Sequence, residues 1–305
     1  MMIFSPIKKT INTIKKIYLE IFIPNRKIRR IVKGEIAKNY LKRYVKAVTK
    51  ENKNANSQLG ELEDYTIWQF WDKGIENAPS IVKKCVASID KYEPNKRHII
   101  LDMENIKDYV EIPEKYYQLL KSGKMGMAHF SDILRTYLLI ERGGCWIDST
   151  VLLTDKLPSY IVESDLFILQ NELKADMDGL NIASYFIHSK PNHKILKDVR
   201  DVIAKYWEDN NYLMNYFLYL HALTMVTQSC AENKALWEKV PFFCFIPVQH
   251  FQKKLMHSFD ETQWKNIKAI TSIHKLSYKN DVLGLDKTKN TSETFYEKLI
   301  NGELV

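Results

Sequence analysis

Between Gly126 and Thr154 the chain reads GMAHFSDILRTYLLIERGGCWIDSTVLLT, and this stretch limits the folds open to it more than any other. Ile133, Leu134, Tyr137, Leu138 and Ile140 recur near helical spacing, so its first half predicts an amphipathic helix. Ser131 and Asp132 are expected in or just before the first turn, where a hydroxyl or carboxylate can accept from free N–H groups. Arg135 follows Asp132 by three residues, which puts both on one side of the helix. Gly143 and Gly144 can end that helix in a left-handed conformation without a Cβ clash. Cys145-Trp146-Ile147 then predicts a short apolar strand, with Asp148-Ser149-Thr150 at its carboxyl end. A carboxylate there stands where α/β sheets place ligand-binding groups.

The flanking sequence repeats the α/β pattern. Tyr65–Trp71 predicts a strand closed by the turn Asp72-Lys73-Gly74, with at least one of Trp68 and Trp71 in the core. A helix opens at Ala78-Pro79 with Ile81, Val82, Cys85, Val86 and Ile89 inside, and Arg97–Asp102 is a second strand. Such a strand–helix–strand series predicts a parallel sheet with right-handed crossovers. Asp108–Lys121 is helical or irregular, interrupted at Pro113, and Ser149–Leu153 is expected to continue the sheet after Asp148. Asp165–Gln170 and Asn181–His188 are further strands, which makes the terminal residues Asn171, Glu172 and Asn181 candidates for sugar or acceptor contacts. Their spacing suits turn residues equally well. A strong helix starts at Pro191-Asn192, and Tyr212–Ser229 predicts a buried helix in which His221 is a core residue, not a base.

Charge divides the chain. The net charge is +8 over 305 residues, yet residues 1–50 hold 14 Lys or Arg against Glu20 and Glu35, while the rest is slightly acidic. Ile7, Ile11, Ile14, Tyr18 and Ile21 share one helical face among Lys8, Lys9, Lys15 and Lys16, Pro24 stops that helix, and Lys27–Val48 is a second basic helical stretch. Basic amphipathic helices suit an anionic membrane surface, which is the preferred reading; a helical hairpin packed on the body and a nucleic-acid arm are the others. With polar Glu51–Gly60 as a linker, the expected organisation is a helical extension over 1–60 and a globular domain over 61–305. Cys85, Cys145, Cys230 and Cys244 are scattered, which fits a reducing compartment and neither a disulfide nor a zinc framework. No apolar run reaches the roughly 18 residues of a membrane span, and lysines break the N-terminal apolar stretch, so neither a span nor a secretory signal is expected. No Gly-rich phosphate loop points to a P-loop or dinucleotide enzyme.

SDILR followed by GG and WID resembles the donor-binding core of sugar-nucleotide glycosyltransferases of the GT-A type, above all the capsular polysaccharide synthesis proteins. These are related to the mannosyl- and galactosyltransferases with a DXD-containing sugar-binding region. The likeness runs from about Tyr65 to Lys279 and includes the Tyr206-Trp207 and YFLYLH sequences. It implies a GT-A-like, Rossmann-type, mainly parallel sheet flanked by helices. It further implies Asp132, Arg135 and Asp148 as the central site residues, with Gln69, Trp71, Ser131, Thr150, Lys275 and Lys279 on the donor nucleotide and its diphosphate. A divalent cation, Mn²⁺ or Mg²⁺, would sit on Asp148 and His274. The second acid of Asp-X-Asp is missing, and Thr150 stands in its place. The implied activity is retaining transfer of a hexose from a UDP-sugar to a lipid-linked capsular or cell-surface polysaccharide, at the cytoplasmic face of the membrane. An inactive sugar-nucleotide-binding scaffold and, less favoured, a nucleic-acid-binding protein using the basic N-terminus are the alternatives.

Overall fold

The computed structural model describes residues 23–54, 58–62, 64–171, 180–279 and 293–304; the first basic helix expected over residues 7–21 and Glu172 fall outside these ranges. Helix α1 (Arg26–Glu51) begins where the Asn25 side chain accepts from the N–H groups of Lys27 and Ile28 at 2.9 and 3.2 Å. Strand β1 (Thr66–Phe70), helix α2 (Ser80–Tyr92) and strand β2 (Arg97–Leu101) form the expected unit, with the two strands parallel. Pro113 immediately precedes α3 (Glu114–Lys121), and Gly126 precedes α4 (Met127–Glu141). Helix α4 therefore starts earlier than its apolar spacing suggested, because nothing in Met127-Ala128-His129-Phe130 breaks it. Ser131 and Asp132 stand in its second turn and cap no helix terminus; they share a face with Arg135 instead.

Gly143 and Gly144 end α4 with φ of 66° and 93°. A Cβ on Gly144 would come within 2.3 Å of the Thr66 carbonyl oxygen, so only glycine lets β3 (Gly144–Ile147) lie against β1. After Asp148 the chain turns, with Val151 N–H donating to the Asp148 carbonyl at 2.8 Å, and leaves the central sheet. Strand β4 (Val151–Leu153) pairs antiparallel with the distant β7 (Ile273–Lys275), not with the central sheet as expected. Between them in sequence come α5 (Ser159–Val162), β5 (Leu166–Gln170) and β6 (Ile182–Ser189).

The central sheet has the order β2-β1-β3-β6-β5. Strand β6 is antiparallel to both its neighbours, so the other four share one direction. This is the mixed, mainly parallel sheet anticipated from the sequence. Pairing of β5 with β6 jumps between Ile168 (opposite Ile187) and Leu169 (opposite Ala183), which leaves Ser184, Tyr185 and Phe186 as a bulge on β6.

Helices α6 (Lys194–Asp209) and α7 (Leu218–Thr227) follow. The second starts later than its apolar run suggested, because the Asn215 side chain accepts from Phe217 N–H at 2.7 Å and holds a turn before it. Short helices α8 (Ala231–Glu238), α9 (Phe245–Val248) and α10 (His250–Lys254), then α11 (Glu261–Ile270) and α12 (Phe295–Ile300), complete the described chain.

Strand alternation divides the core. Trp68, Phe70, Trp146, Ile168 and Ile187 pack with α4, α6 and α7, while Ile67, Cys145, Ile147, Phe167 and Phe186 pack on the other side. Leu41, Tyr44, Val45 and Val48 of α1 belong to the first of these cores, and Tyr44 OH donates to Asp209 at 2.9 Å. Complete burial of Leu41 alone contributes about 2 kcal/mol. The expected boundary near residue 60 therefore does not separate two cores: α1 is an integral part of the body, held by its own apolar face.

Candidate functional site

A cavity of about 750 Å³ opens at the carboxyl ends of β1 and β3. Trp71 and Asp72 bring β1 to it, Asp148 brings β3, and Ser131, Asp132 and Arg135 enter from one face of α4. The segment from Lys275 to Lys279 closes one side, and Tyr216, Phe217 and Leu220 close another.

Arg135 is the hub. Its side chain is 5% exposed, and every donor direction is used. One terminal nitrogen donates to the Ser184 carbonyl at 2.6 Å and contacts Asp132 Oδ1 at 3.1 Å. The other reaches Ser131 Oγ at 3.0 Å and Asp148 Oδ1 at 3.3 Å, while Nε donates to the Ser131 carbonyl at 3.2 Å. The guanidinium also lies over the Trp146 ring, 5.0 Å from its centroid. It thus bridges two carboxylates on different elements, which fixes α4 against the end of β3.

Asp148 is engaged on both oxygens. Oδ1 accepts from the Trp146 indole N–H at 2.9 Å as well as from Arg135, and Oδ2 faces Lys275 Nζ at 3.4 Å. Burial alone would raise this carboxyl, but the Arg135 and Lys275 charges and the Trp146 N–H outweigh it and hold the group below its ordinary range. Lys275 Nζ also donates to Thr150 Oγ1 and stands over the Tyr185 ring, 5.4 Å from its centroid. Thr150, in the place of a second acid, therefore holds a cation. Lys279 lies exposed on the rim, and Trp71 meets Tyr278 edge-on at 5.2 Å, forming an aromatic wall.

His274 does not join this group. It neighbours Lys275 on β7, and successive strand residues point to opposite faces. Lys275 faces the cavity, so His274 is completely buried between Phe251 and Trp264, with Nε2 3.0 Å from Thr154 Oγ1. Burial lowers its pKa to about 3. The residues present do not fit the divalent cation expected on Asp148 and His274. That imidazole is on the wrong face, and the remaining carboxylate already carries two cations. No group of three His, Cys, Asp or Glu suited to a metal occurs among the described residues.

Three other expected site residues also lie outside the cavity lining. Gln69 is completely buried beneath it, with Oε1 3.0 Å from His98 Nε2 and Nε2 3.5 Å from the Asp148 carbonyl, because it occupies the interior of β1 and not its end. Asn171 is buried and donates its N–H to the carbonyl of exposed Asn181 at 2.9 Å; these two join the ends of β5 and β6. Trp68 is the core tryptophan of the pair, donating to the Gly143 carbonyl at 2.9 Å, and Trp71 is the one on the cavity.

The structure adds residues that the sequence reading passed over. Trp146 stands two residues before Asp148 and so on the same side of the strand, a signal present in the sequence. Ser184 and Tyr185 reach the cavity only through the β6 bulge; Ser184 Oγ donates to Asp132 at 3.3 Å and Tyr185 O accepts from Asp148 N–H at 2.8 Å. Buried His129 accepts at Nε2 from the Trp207 indole N–H at 3.1 Å. A neutral ring then carries its proton on Nδ1, which faces Asp132 Oδ2 at 3.7 Å.

A model of the family described as capsular polysaccharide synthesis protein matches residues 16–299. A curated relative, the glycosyltransferase afumC of Aspergillus fumigatus, is 26% identical over 158 residues, covering 47% of this chain and 38% of its own length. The chain thus spans well under half of that relative. A solved structure titled PaToxG glycosyltransferase aligns over 91% of this chain and 95% of its own, with 14% identity and a TM-score of 0.40.

Proposed function

Because this chain belongs to the capsular polysaccharide synthesis protein family, we propose that it is a glycosyltransferase moving a hexose from a UDP-sugar to a lipid-linked capsular or cell-surface polysaccharide. The observation that carries this reading is the convergence of Asp132, Arg135 and Asp148 with Trp71, Lys275 and Lys279 on one cavity at the carboxyl ends of the strands. In this reading the Trp71–Tyr278 wall takes the flat base. Lys275 and Lys279 take the diphosphate, as flexible ammonium groups suited to phosphate oxygens. Asp132, held by Arg135 and Ser184, and Asp148 meet the hydroxyls of the sugar.

Of the three carboxylates on the cavity lining among the described residues, Asp132 and Asp148 are ion-paired with Arg135 and so are not free general bases, while Asp72 follows Trp71 of the wall assigned to the base. This favours a retaining transfer in which the acceptor oxygen bonds to the anomeric carbon on the face that the nucleotide leaves. The bond from that carbon to the phosphate oxygen breaks, and the acceptor proton passes to the departing phosphate. Lysines beside the diphosphate stabilise its growing charge. No step of this account requires a metal ion.

The test is a screen of UDP- and GDP-sugars for thermal stabilisation, followed by release of free nucleotide with the stabilising donor. A ligand bound only by the native state must raise its stability. A UDP-sugar should shift the melting temperature and be turned over. No shift with any nucleotide sugar would refute the assignment; a shift without turnover would identify a binding scaffold.

A further inference from the structure

Helix α1 presents two faces. The inner one packs into the core through Ala37, Leu41, Tyr44, Val45 and Val48. The outer one exposes large apolar side chains where a soluble helix normally carries polar ones: Ile28 is 51% exposed, Ile31 39% and Ile36 45%. Exposed isoleucines clustered on one stretch of helix differ from the single apolar residues common on protein surfaces. The same helix holds ten Lys or Arg against Glu35 and Glu51. Glu35 is offset by Lys38 at 2.8 Å, and Glu51 by Lys205 at 3.0 Å. Lys42 and Lys46 are exposed farther along the helix.

The N-terminal half of α1 also borders the cavity. Arg30 lies over the Phe217 ring, 5.4 Å from its centroid, and both residues line the opening. The Lys33 carbonyl accepts from Asn215 Nδ2 at 3.1 Å, which pins the N-terminal half of α1 to the turn before α7. That turn displays Tyr216, 66% exposed, at the same opening.

We propose that the outer face of α1, continued by Tyr216 and Phe217, is a docking surface for an anionic lipid bilayer, placed so that the cavity opens beside the bilayer. Isoleucines enter the headgroup boundary, lysines and arginines meet anionic headgroups, and tyrosine suits the interface between them. An apolar protein partner would fit the isoleucines but not the surplus of cations; a nucleic acid would fit the cations but not the isoleucines. The purpose of the surface rests on the proposed lipid-linked acceptor, whereas its existence does not.

The test uses the full chain and vesicles of phosphatidylcholine with or without phosphatidylglycerol, pelleted at low and high salt. The wild type should pellet with the anionic vesicles at low salt and be released as salt rises. A variant carrying Ile28→Ser, Ile31→Ser and Ile36→Ser should bind about tenfold or more weakly, and Lys42→Glu with Lys46→Glu should steepen the loss. These positions are outside the core, so melting temperature and stabilisation by a UDP-sugar should match the wild type. Retained UDP-sugar binding with lost vesicle binding supports the surface independently of the donor assignment. Absence of wild-type binding, equal binding to phosphatidylcholine alone, or undiminished binding by the isoleucine variant would overturn it.

Discussion

Asp148→Asn changes one charge and almost no shape, and it separates two ways of holding a diphosphate. The carboxylate lies 3.4 Å from Lys275 Nζ and 3.3 Å from Arg135. An amide oxygen can still accept from Trp146 and Arg135, and Arg135 keeps Asp132 at 3.1 Å. The expected loss of stability is therefore only about 1–2 kcal/mol, or a fall of a few degrees in melting temperature at about 2–4 °C per kcal/mol. Nucleotide affinity should move the other way. A phosphate oxygen resting on Lys275 would stand about 6 Å from the carboxylate, and with an effective dielectric constant of about 40 their repulsion is about 1.4 kcal/mol. Removing it should tighten UDP binding about five- to tenfold in the presence of EDTA. Transfer should still fall steeply, since Asp148 is assigned to the sugar. Isothermal titration of wild type and variant with UDP, in EDTA and then with Mn²⁺, measures this directly. If the variant binds UDP more weakly than the wild type, and wild-type binding needs Mn²⁺, then Asp148 holds a metal and the lysine account is wrong.

Three further outcomes are expected. Lys275→Met should weaken UDP binding about tenfold, the scale of one lost charge-assisted contact, while Lys279→Met on the exposed rim should cost less; equal effects by titration would contradict the geometry. Gly144→Ala should destabilise by at least about 3 kcal/mol in a denaturant titration, because its Cβ would meet the Thr66 carbonyl oxygen at 2.3 Å; a variant within 1 kcal/mol of wild type, again by the usual point-mutant scale of about 1 kcal/mol, would contradict the close approach of β3 to β1. Acid should unfold the protein. Burial lowers His188, His193 and His221 to about 4 and His274 to about 3. The unfolded chain therefore takes up protons first as pH falls below about 6.5, and stability drops until the folded-state values are reached. With four such groups the slope inside that window approaches about 5 kcal/mol per pH unit. A melting temperature unchanged between pH 7 and pH 5 would refute it.

The central helix–turn–strand was legible in sequence because its determinants are local. Helical spacing, two glycines with positive φ and a short apolar run suffice to predict α4, the turn and β3, and they put Asp132, Arg135 and Asp148 in order along the chain. Family likeness added Trp71, Lys275 and Lys279, which local spacing could not have joined, since more than two hundred positions separate Trp71 from the two lysines. The same likeness names Lys275 and its neighbour His274 together, although a strand can turn only one of the two to the cavity. Which one depends on the pairing of β7 with β4, a contact between residues more than a hundred positions apart. The same is true of Ser184 and Tyr185: their route into the site is a register jump between β5 and β6, and a bulge leaves no mark in the alternation of NIASYFIH. Helix α1 gave an ambiguous reading for a related reason. Its composition is basic and its apolar residues lie on more than one face, so only the packing of Leu41 and Val45 against later helices decides which face is core and leaves Ile28, Ile31 and Ile36 outside. The sequence by itself determined the local elements and the order of the charged groups; long-range pairing and burial decided which side chains share the cavity.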